Sequence, residues 1–152
     1  MNPESAIIIM FIASFVIGYI TMPIMIGFNS PYIRNHLNKI MGAILMAFTM
    51  ALVELFMHSS MLSKSKLISY GVIIISGIVI SIYIIQKQLY VSEKDFLNGM
   101  IEHHAMGVKM AEKFQYNYSI NTNPEITKLA GSIVSTQNAE IHLMDRILME
   151  VD

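Results

Sequence analysis

The sequence predicts an all-α protein in two parts, three transmembrane helices followed by a polar helical hairpin. Long uncharged stretches fill the first half of the chain, whereas charged residues alternate with apolar ones at helical spacing in the second half. Hydrophobic residues make up 54% of the chain and charged residues 14%, against about 25% charged in a typical soluble domain. We therefore predict a membrane region over residues 1–90 and a hairpin domain over residues 91–152.

The composition excludes several classes of protein. The 152 residues include no cysteine and have a formal net charge of −1. The missing cysteines exclude a disulfide-stabilised module, a thiolate metal site and a cysteine nucleophile. No basic excess points to a nucleic-acid partner. The 14 methionines and five histidines stand out, and their positions must decide whether they have a function.

Three apolar stretches are long enough to cross a bilayer as helices. Residues 6–28 and 67–85 contain no charge, and residues 40–57 contain only one, Glu54. A bilayer core of about 30 Å needs about 20 helical residues. Pro23 lies near the end of the first stretch and is expected to kink that helix rather than end it. Lys87 and Lys94 favour a cytoplasmic C-terminus by a small margin.

The second half reads as two helices joined by a turn. Ser92 and Asp95 have the spacing of a capping box, which predicts a helix start there. The turn covers residues 118–124, in which Asn123 is the predicted N-cap and Pro124 the first helical residue. The last helix is predicted over residues 125–150. Its inner stripe consists of Leu129, Ala130, Ile133, Val134, Ile141, Met144 and Leu148.

Two such helices bury too little apolar surface to be stable alone. A second copy that completes an antiparallel four-helix bundle is the most economical partner, so we predict a homo-oligomer. Alternatively, the hairpin could fold back onto its own membrane helices.

Polar residues interrupt the apolar stripes of both hairpin helices. At 100° per residue, His104 lies in the middle of one stripe and Gln137 in the middle of the other, with Glu140 beside it. His103 lies on a flank of its helix. Imidazole, carboxylate and thioether groups that converge in a bundle core can form a metal site; the alternative is a hydrogen-bonded core network without metal. The candidate metal ligands are His103, His104, Met106, Met110, Gln137, Glu140 and Met144.

The second apolar stretch has a sulfur-rich face that also contains its acid. Four side chains on that face, and a histidine near the membrane end, are candidates for a polar seam that passes a metal toward the hairpin. Pairing of the acid with Lys64 or Lys66, and plain packing by methionine, are the alternatives. The seam residues are Met46, Met50, Glu54, Met57 and His58.

Two hairpin segments together resemble the domain of unknown function 305 family. The first, residues 95–111, contains Met100-Ile-Glu-His103-His104, and the second, residues 129–148, contains Gln137, Glu140-Ile141 and Met144. The chain has Glu102 where many members have proline, and Ile147-Leu148 where many have Trp-Leu.

The resemblance implies a ferritin-like helical bundle and an association with copper. It further implies metal binding through His103, His104, Glu140 and neighbouring methionines, with the hairpin on the extracytoplasmic side of the membrane, and we prefer that side to the one favoured by the lysines. We therefore expect a membrane-anchored protein that captures or buffers copper, as Cu(I), because thioether and imidazole groups suit that ion. The alternative is a structural module for membrane assembly. An enzyme ranks third, because the sequence contains no recognisable catalytic set.

Overall fold

A computed structural model describes residues 2–118 and 123–151, which form five α-helices and no strand. The helices are α1 (Pro3–Thr21), α2 (Leu37–Met57), α3 (Lys64–Lys87), α4 (Glu93–Tyr118) and α5 (Pro124–Val151). Short 3₁₀ helices follow α1 (Met22–Met25) and α2 (Ser59–Met61). The all-α prediction is confirmed. The chain divides into two compact units, α1–α3 and the α4–α5 hairpin.

The first unit contains three helices long and apolar enough to cross a membrane. The candidate spans are Pro3–Met25, Leu37–Met57 and Lys64–Lys87, with mean hydropathies of 2.3, 2.1 and 2.4. Large apolar side chains point outward from them, including Ile12 at 56% and Ile80 at 56% exposure. Apolar surface on several sides of a helix is typical of contact with lipid.

Small residues line the contact between α1 and α2. Ala43, Ala47 and Ala51 follow one another at four-residue spacing on α2, and each is at most 1% exposed. On α1, Gly18 lies directly beside the Met46 sulfur. Helices in membranes pack by such close backbone approach, because burial in lipid supplies no hydrophobic force between them.

The first α-helix ends earlier than the sequence analysis predicts. It becomes a 3₁₀ helix at Met22 rather than running kinked to residue 28. Pro23 has no N–H to donate and its ring crowds the preceding turn. Gly27 then adopts a positive φ of 85°, a conformation that residues other than glycine rarely take.

The second unit is built on an antiparallel hairpin. The Ser92 N–H and hydroxyl both contact the Asp95 carboxylate, and the Asp95 N–H donates to the Ser92 hydroxyl at 3.1 Å. The Asn123 side chain accepts the Glu125 N–H at 2.9 Å. Both predicted caps are therefore confirmed, while the predicted turn residues 119–122 lie outside the described residues.

A third segment packs onto the hairpin. Pro23–His36, which connects α1 to α2, belongs to the second unit. Ile26 joins Ile101 and Ile141 in the buried core, and Tyr32 and Ile33 pack against it. The compact units are therefore not continuous in sequence, because this connecting segment belongs with the hairpin rather than with the apolar helices on either side of it.

Candidate metal centre

His104 and Glu140 form the centre of the candidate site. The His104 side chain is 12% exposed, and its Nε2 lies 2.8 Å from a Glu140 carboxylate oxygen. Its other ring nitrogen, Nδ1, lies 2.8 Å from the Met100 carbonyl oxygen. The backbone of α4 thus orients the imidazole, and α5 supplies the carboxylate. Glu140 is 50% exposed, so the pair lies at the edge of the hairpin core and can be reached from solvent.

The hydrogen bonds determine where protons must lie. A carbonyl oxygen only accepts, so Nδ1 carries a proton and donates it to Met100. Nε2 and the Glu140 oxygen lie at hydrogen-bond distance, 2.8 Å, so a second proton lies between these two atoms. Metal-binding histidines commonly have this arrangement, in which one nitrogen donates to a carbonyl and the other is left for the ion. A cation could take the place of the second proton.

Methionines lie one helical turn from both members of the pair. Residues four apart share a helix face, so Met100 shares a face with His104 on α4, and Met144 shares one with Glu140 on α5. Because the helices are antiparallel, these two methionines lie at the same level of the hairpin. Met144 packs against the core, and Met100 is half-buried.

The remaining predicted ligands on α4 lie outside this group. The His103 side chain is exposed, and its ring centroid is 6.0 Å from that of His104 at an interplanar angle of 67°. Met110 is 56% exposed, whereas Met106 packs against the core. The two histidines therefore point in different directions, as the sequence analysis expects of neighbours on a helix.

Gln137 lies one turn before Glu140, but no hydrogen bond joins its described side chain to His104 or Glu140. Its amide packs against Gly107, where an added Cβ would lie 2.3 Å from the Gln137 Oε1. That buried oxygen has no hydrogen-bond partner among the described residues. The predicted network is thus formed between His104 and Glu140, and Gln137 is separate from it.

The described residues contain no group of three or more histidine, aspartate or glutamate side chains that could hold one metal ion. The His104–Glu140 pair could therefore offer an ion at most two side chains of this kind from the described part of the chain. A methionine or a group from another molecule must supply any further ligand.

A buried polar cluster beside the site was not foreseen from the sequence. Glu102 is 2% exposed, and its carboxylate accepts the Arg34 backbone N–H at 2.8 Å. The Arg34 guanidinium donates to Asp145 at 2.7 Å. Two acids, one from each hairpin helix, thus hold the connecting segment. The one signal in the sequence was Glu102 itself, an acid on the helix that also presents His103 and His104.

The predicted seam in the membrane region is only partly assembled. Glu54 is 7% exposed, and its Oε1 lies 3.2 Å from His58 Nδ1. Met57 points outward at 68% exposure, and Met46, at 42%, packs beside Gly18. Lys66 pairs with Glu4 instead of Glu54. Passage of a metal along this face stays a prediction.

Comparison with known proteins identifies the hairpin. Residues 85–148 match the family described as "Domain of unknown function (DUF305)". The chain is also 35% identical to "Uncharacterized protein L153" of Acanthamoeba polyphaga mimivirus. The aligned region is 149 residues long and covers 97% of this chain and 93% of the viral protein. No solved structure matches the chain. The paired signature segments on α4 and α5, the family match and the full-length relative together establish that this chain belongs to the DUF305 family.

Proposed function

We propose that this protein is a membrane-anchored metal-binding protein that captures or buffers copper through its hairpin. The observation that supports the proposal is the orientation of His104. Its Nδ1 is held by the Met100 carbonyl, and its Nε2 faces the Glu140 carboxylate. Imidazole binds several transition metals, and the neighbouring thioethers of Met100 and Met144 favour a soft ion such as Cu(I).

Metal binding at this pair has a chemical consequence that can be measured. The ion would replace the proton between Nε2 and Glu140, so binding would release protons. Affinity should therefore fall as the pH is lowered, because protons compete for the same atoms. The reducing state of the buffer must be held constant so that the copper remains Cu(I).

The test is a competition titration of the purified full-length protein against a chromophoric Cu(I) chelator. His104→Ala should weaken binding by at least about tenfold, since loss of even an indirect metal contact costs about 10- to 100-fold in affinity. His142→Ala is the matched control, because this exposed histidine lies on α5, and a position two residues on from Glu140 is about 200° around the helix. The double variant His103→Ala/His104→Ala should abolish uptake. Unchanged affinity in both His104 variants would refute the proposal.

The side of the membrane follows from the same proposal. Pro23–His36 and the hairpin form one unit, and α2 and α3 separate them in the chain. Two consecutive crossings would place both stretches on one side. Capture of copper from outside the cytoplasm places that unit on the extracytoplasmic face, and labelling of a cysteine introduced at exposed Tyr116 in intact cells or vesicles tests this.

A second candidate function is assembly of a membrane oligomer. An apolar groove remains open along the half of the hairpin farther from Glu93, where Leu129 is 60%, Met110 56% and Ile126 46% exposed. The sequence predicts that Leu129 faces inward, but it is 60% exposed because no further helix of the described chain covers it. A second copy that packs there would complete a four-helix bundle.

Native mass spectrometry in a mild detergent tests this second function. The wild-type chain should be a dimer or larger, and Leu129→Glu should shift it toward monomer. Leu143→Glu is the control, because Leu143 is exposed on α5 but does not line the groove. A wild-type monomer would rule out assembly.

A further inference from the structure

The three apolar helices enclose a groove that none of the proposed functions uses. Its volume is about 250 Å³, and it lies in the first unit with α2 as its floor. Phe48 and Ala51 form that floor, while α1 and α3, which both pack against α2, form the walls. The wall residues include Ile7, Ile8, Phe11, Tyr70, Ile73 and Ile74. The lining is thus almost entirely apolar.

One end of the groove is charged. Glu4 lines it, and the Glu4 carboxylate forms an ion pair with the Lys66 ammonium, which joins the first turn of α1 to the first turn of α3. The Lys66 side chain is 57% exposed and that of Glu4 32%. Asn2 and Ser63 cap the two helices at the same end. Both charges of the pair therefore remain accessible to a ligand.

The shape and the charges together specify the occupant. A ligand here needs an apolar body that fits against an almost entirely apolar lining in about 250 Å³, and a head with one positive and one negative group. We propose that the groove binds one acyl chain of a phospholipid whose headgroup contains a phosphate and a primary ammonium, with the phosphate at Lys66 and the ammonium at Glu4. The positive end of the α3 helix dipole also favours the phosphate.

A helix from a second copy fits the groove less well. An α-helix with its side chains is about 10–12 Å across, and it needs far more room than the groove volume of about 250 Å³. A partner helix would also have to desolvate the Glu4–Lys66 pair without replacing its interactions. A lipid headgroup can replace the partner of each charge, because its phosphate binds Lys66 and its ammonium binds Glu4. It does so while remaining at the membrane surface.

The test uses the full-length protein in mixed bilayer nanodiscs, extracted gently and examined by native mass spectrometry. Equal amounts of phosphatidylethanolamine, phosphatidylcholine and phosphatidylglycerol are supplied. One phosphatidylethanolamine per chain should be retained in preference to the other two lipids. Phosphatidylcholine has no ammonium N–H for Glu4, and phosphatidylglycerol has no positive group.

Matched variants separate the groove from the general lipid-facing surface. Ile8 and Ile9 are neighbours on α1 with exposures of 59% and 53%, but only Ile8 lines the groove. Ile8→Trp should lower the retained lipid by at least about tenfold, which equals about 1.4 kcal/mol, and Ile9→Trp should leave it unchanged. Because both side chains are exposed, neither variant disturbs the buried core.

A charge variant tests the headgroup assignment. Glu4→Gln keeps the shape of the side chain and should remove the preference for phosphatidylethanolamine over phosphatidylcholine. Equal retention in Ile8→Trp and Ile9→Trp would overturn the proposal, as would a preference that survives Glu4→Gln. A wild-type dimer that Ile8→Trp converts to monomer would instead identify a second copy as the occupant.

Discussion

The helices of the two units of this chain pack against one another through different kinds of residue. In the α1–α3 unit, alanines and glycines bring helix backbones close together, and hydroxyl groups such as those of Thr49 and Ser81 bond to carbonyls of their own helix. In the hairpin unit, large aliphatic side chains such as Ile101 and Ile141 form the core. Polar groups there, including Arg34 and Asp145, pair between segments.

The difference reflects the solvent that each unit faces. In water, burial of a large side chain is itself stabilising. In lipid, the side chain is already in an apolar medium, so only close packing and satisfied polar groups favour association. Three predictions about the free energy of unfolding follow. Two compare the same substitution in the two units, and the third compares two ion pairs of the hairpin unit that differ in exposure.

The largest effect is expected from removing a buried isoleucine. Ile101→Ala in the hairpin should lower the free energy of unfolding by about 2–5 kcal/mol, because both transfer from water and a cavity contribute. Ile74→Ala, 5% exposed in the membrane unit, should cost less, about 1–2 kcal/mol, because only lost packing contributes. Thermal unfolding followed by circular dichroism in detergent measures both; equal losses would contradict the comparison.

An intermediate effect is expected from adding a methyl group at a glycine. A Cβ on Gly77 would lie 2.4–2.6 Å from the Phe48 ring, whereas one on Gly107 would meet the end of the flexible Gln137 side chain. Gly77→Ala should therefore destabilise the protein by about 1–3 kcal/mol through overpacking. Gly107→Ala should be within about 1 kcal/mol of neutral, because higher helix propensity offsets the shift of Gln137. The same unfolding measurement applies, and a reversed order would show that close backbone approach is not specific to the membrane unit.

The smallest effect is expected from the ion pair that holds the connecting segment. Arg34 and Asp145 are about one-third exposed or less, so Asp145→Asn should cost about 1 kcal/mol, and added salt should reduce the difference. The Lys109–Glu112 pair is more exposed, with a separation of 3.8 Å, so Glu112→Gln should have almost no effect. Unfolding at low and high ionic strength measures both variants. If Asp145→Asn lowered the free energy of unfolding no more than Glu112→Gln does, the Arg34–Asp145 ion pair would not hold the connecting segment in place.

Much of the architecture could be read from periodicity and charge. The structure places the spans within a few residues of the predicted ones at most ends, and Ser92 and Asn123 cap the helices as predicted. These features depend on neighbours in the chain, so a single sequence determines them. The pairing of His104 with Glu140 was also among the predicted alternatives, because each residue interrupts an apolar stripe.

Other features depend on groups far apart in the chain. Arg34 reaches Glu102 and Asp145 across 68 and 111 positions, and nothing in the local pattern around residue 34 indicates those partners. The stripe pattern likewise predicts that Gln137 can bond to His104, whereas in the structure its amide lies against Gly107.

The sequence by itself determined the helices, their caps, the two-part organisation and the polar residues available for a site. Tertiary structure decided that Pro23–His36 packs on the hairpin, that Glu54 pairs with His58, and which hairpin polar groups meet. The physical reason is the range of the interactions. Helix propensity, capping and hydrophobic periodicity act over one or two turns, whereas side-chain pairing depends on the register and close approach of separate segments.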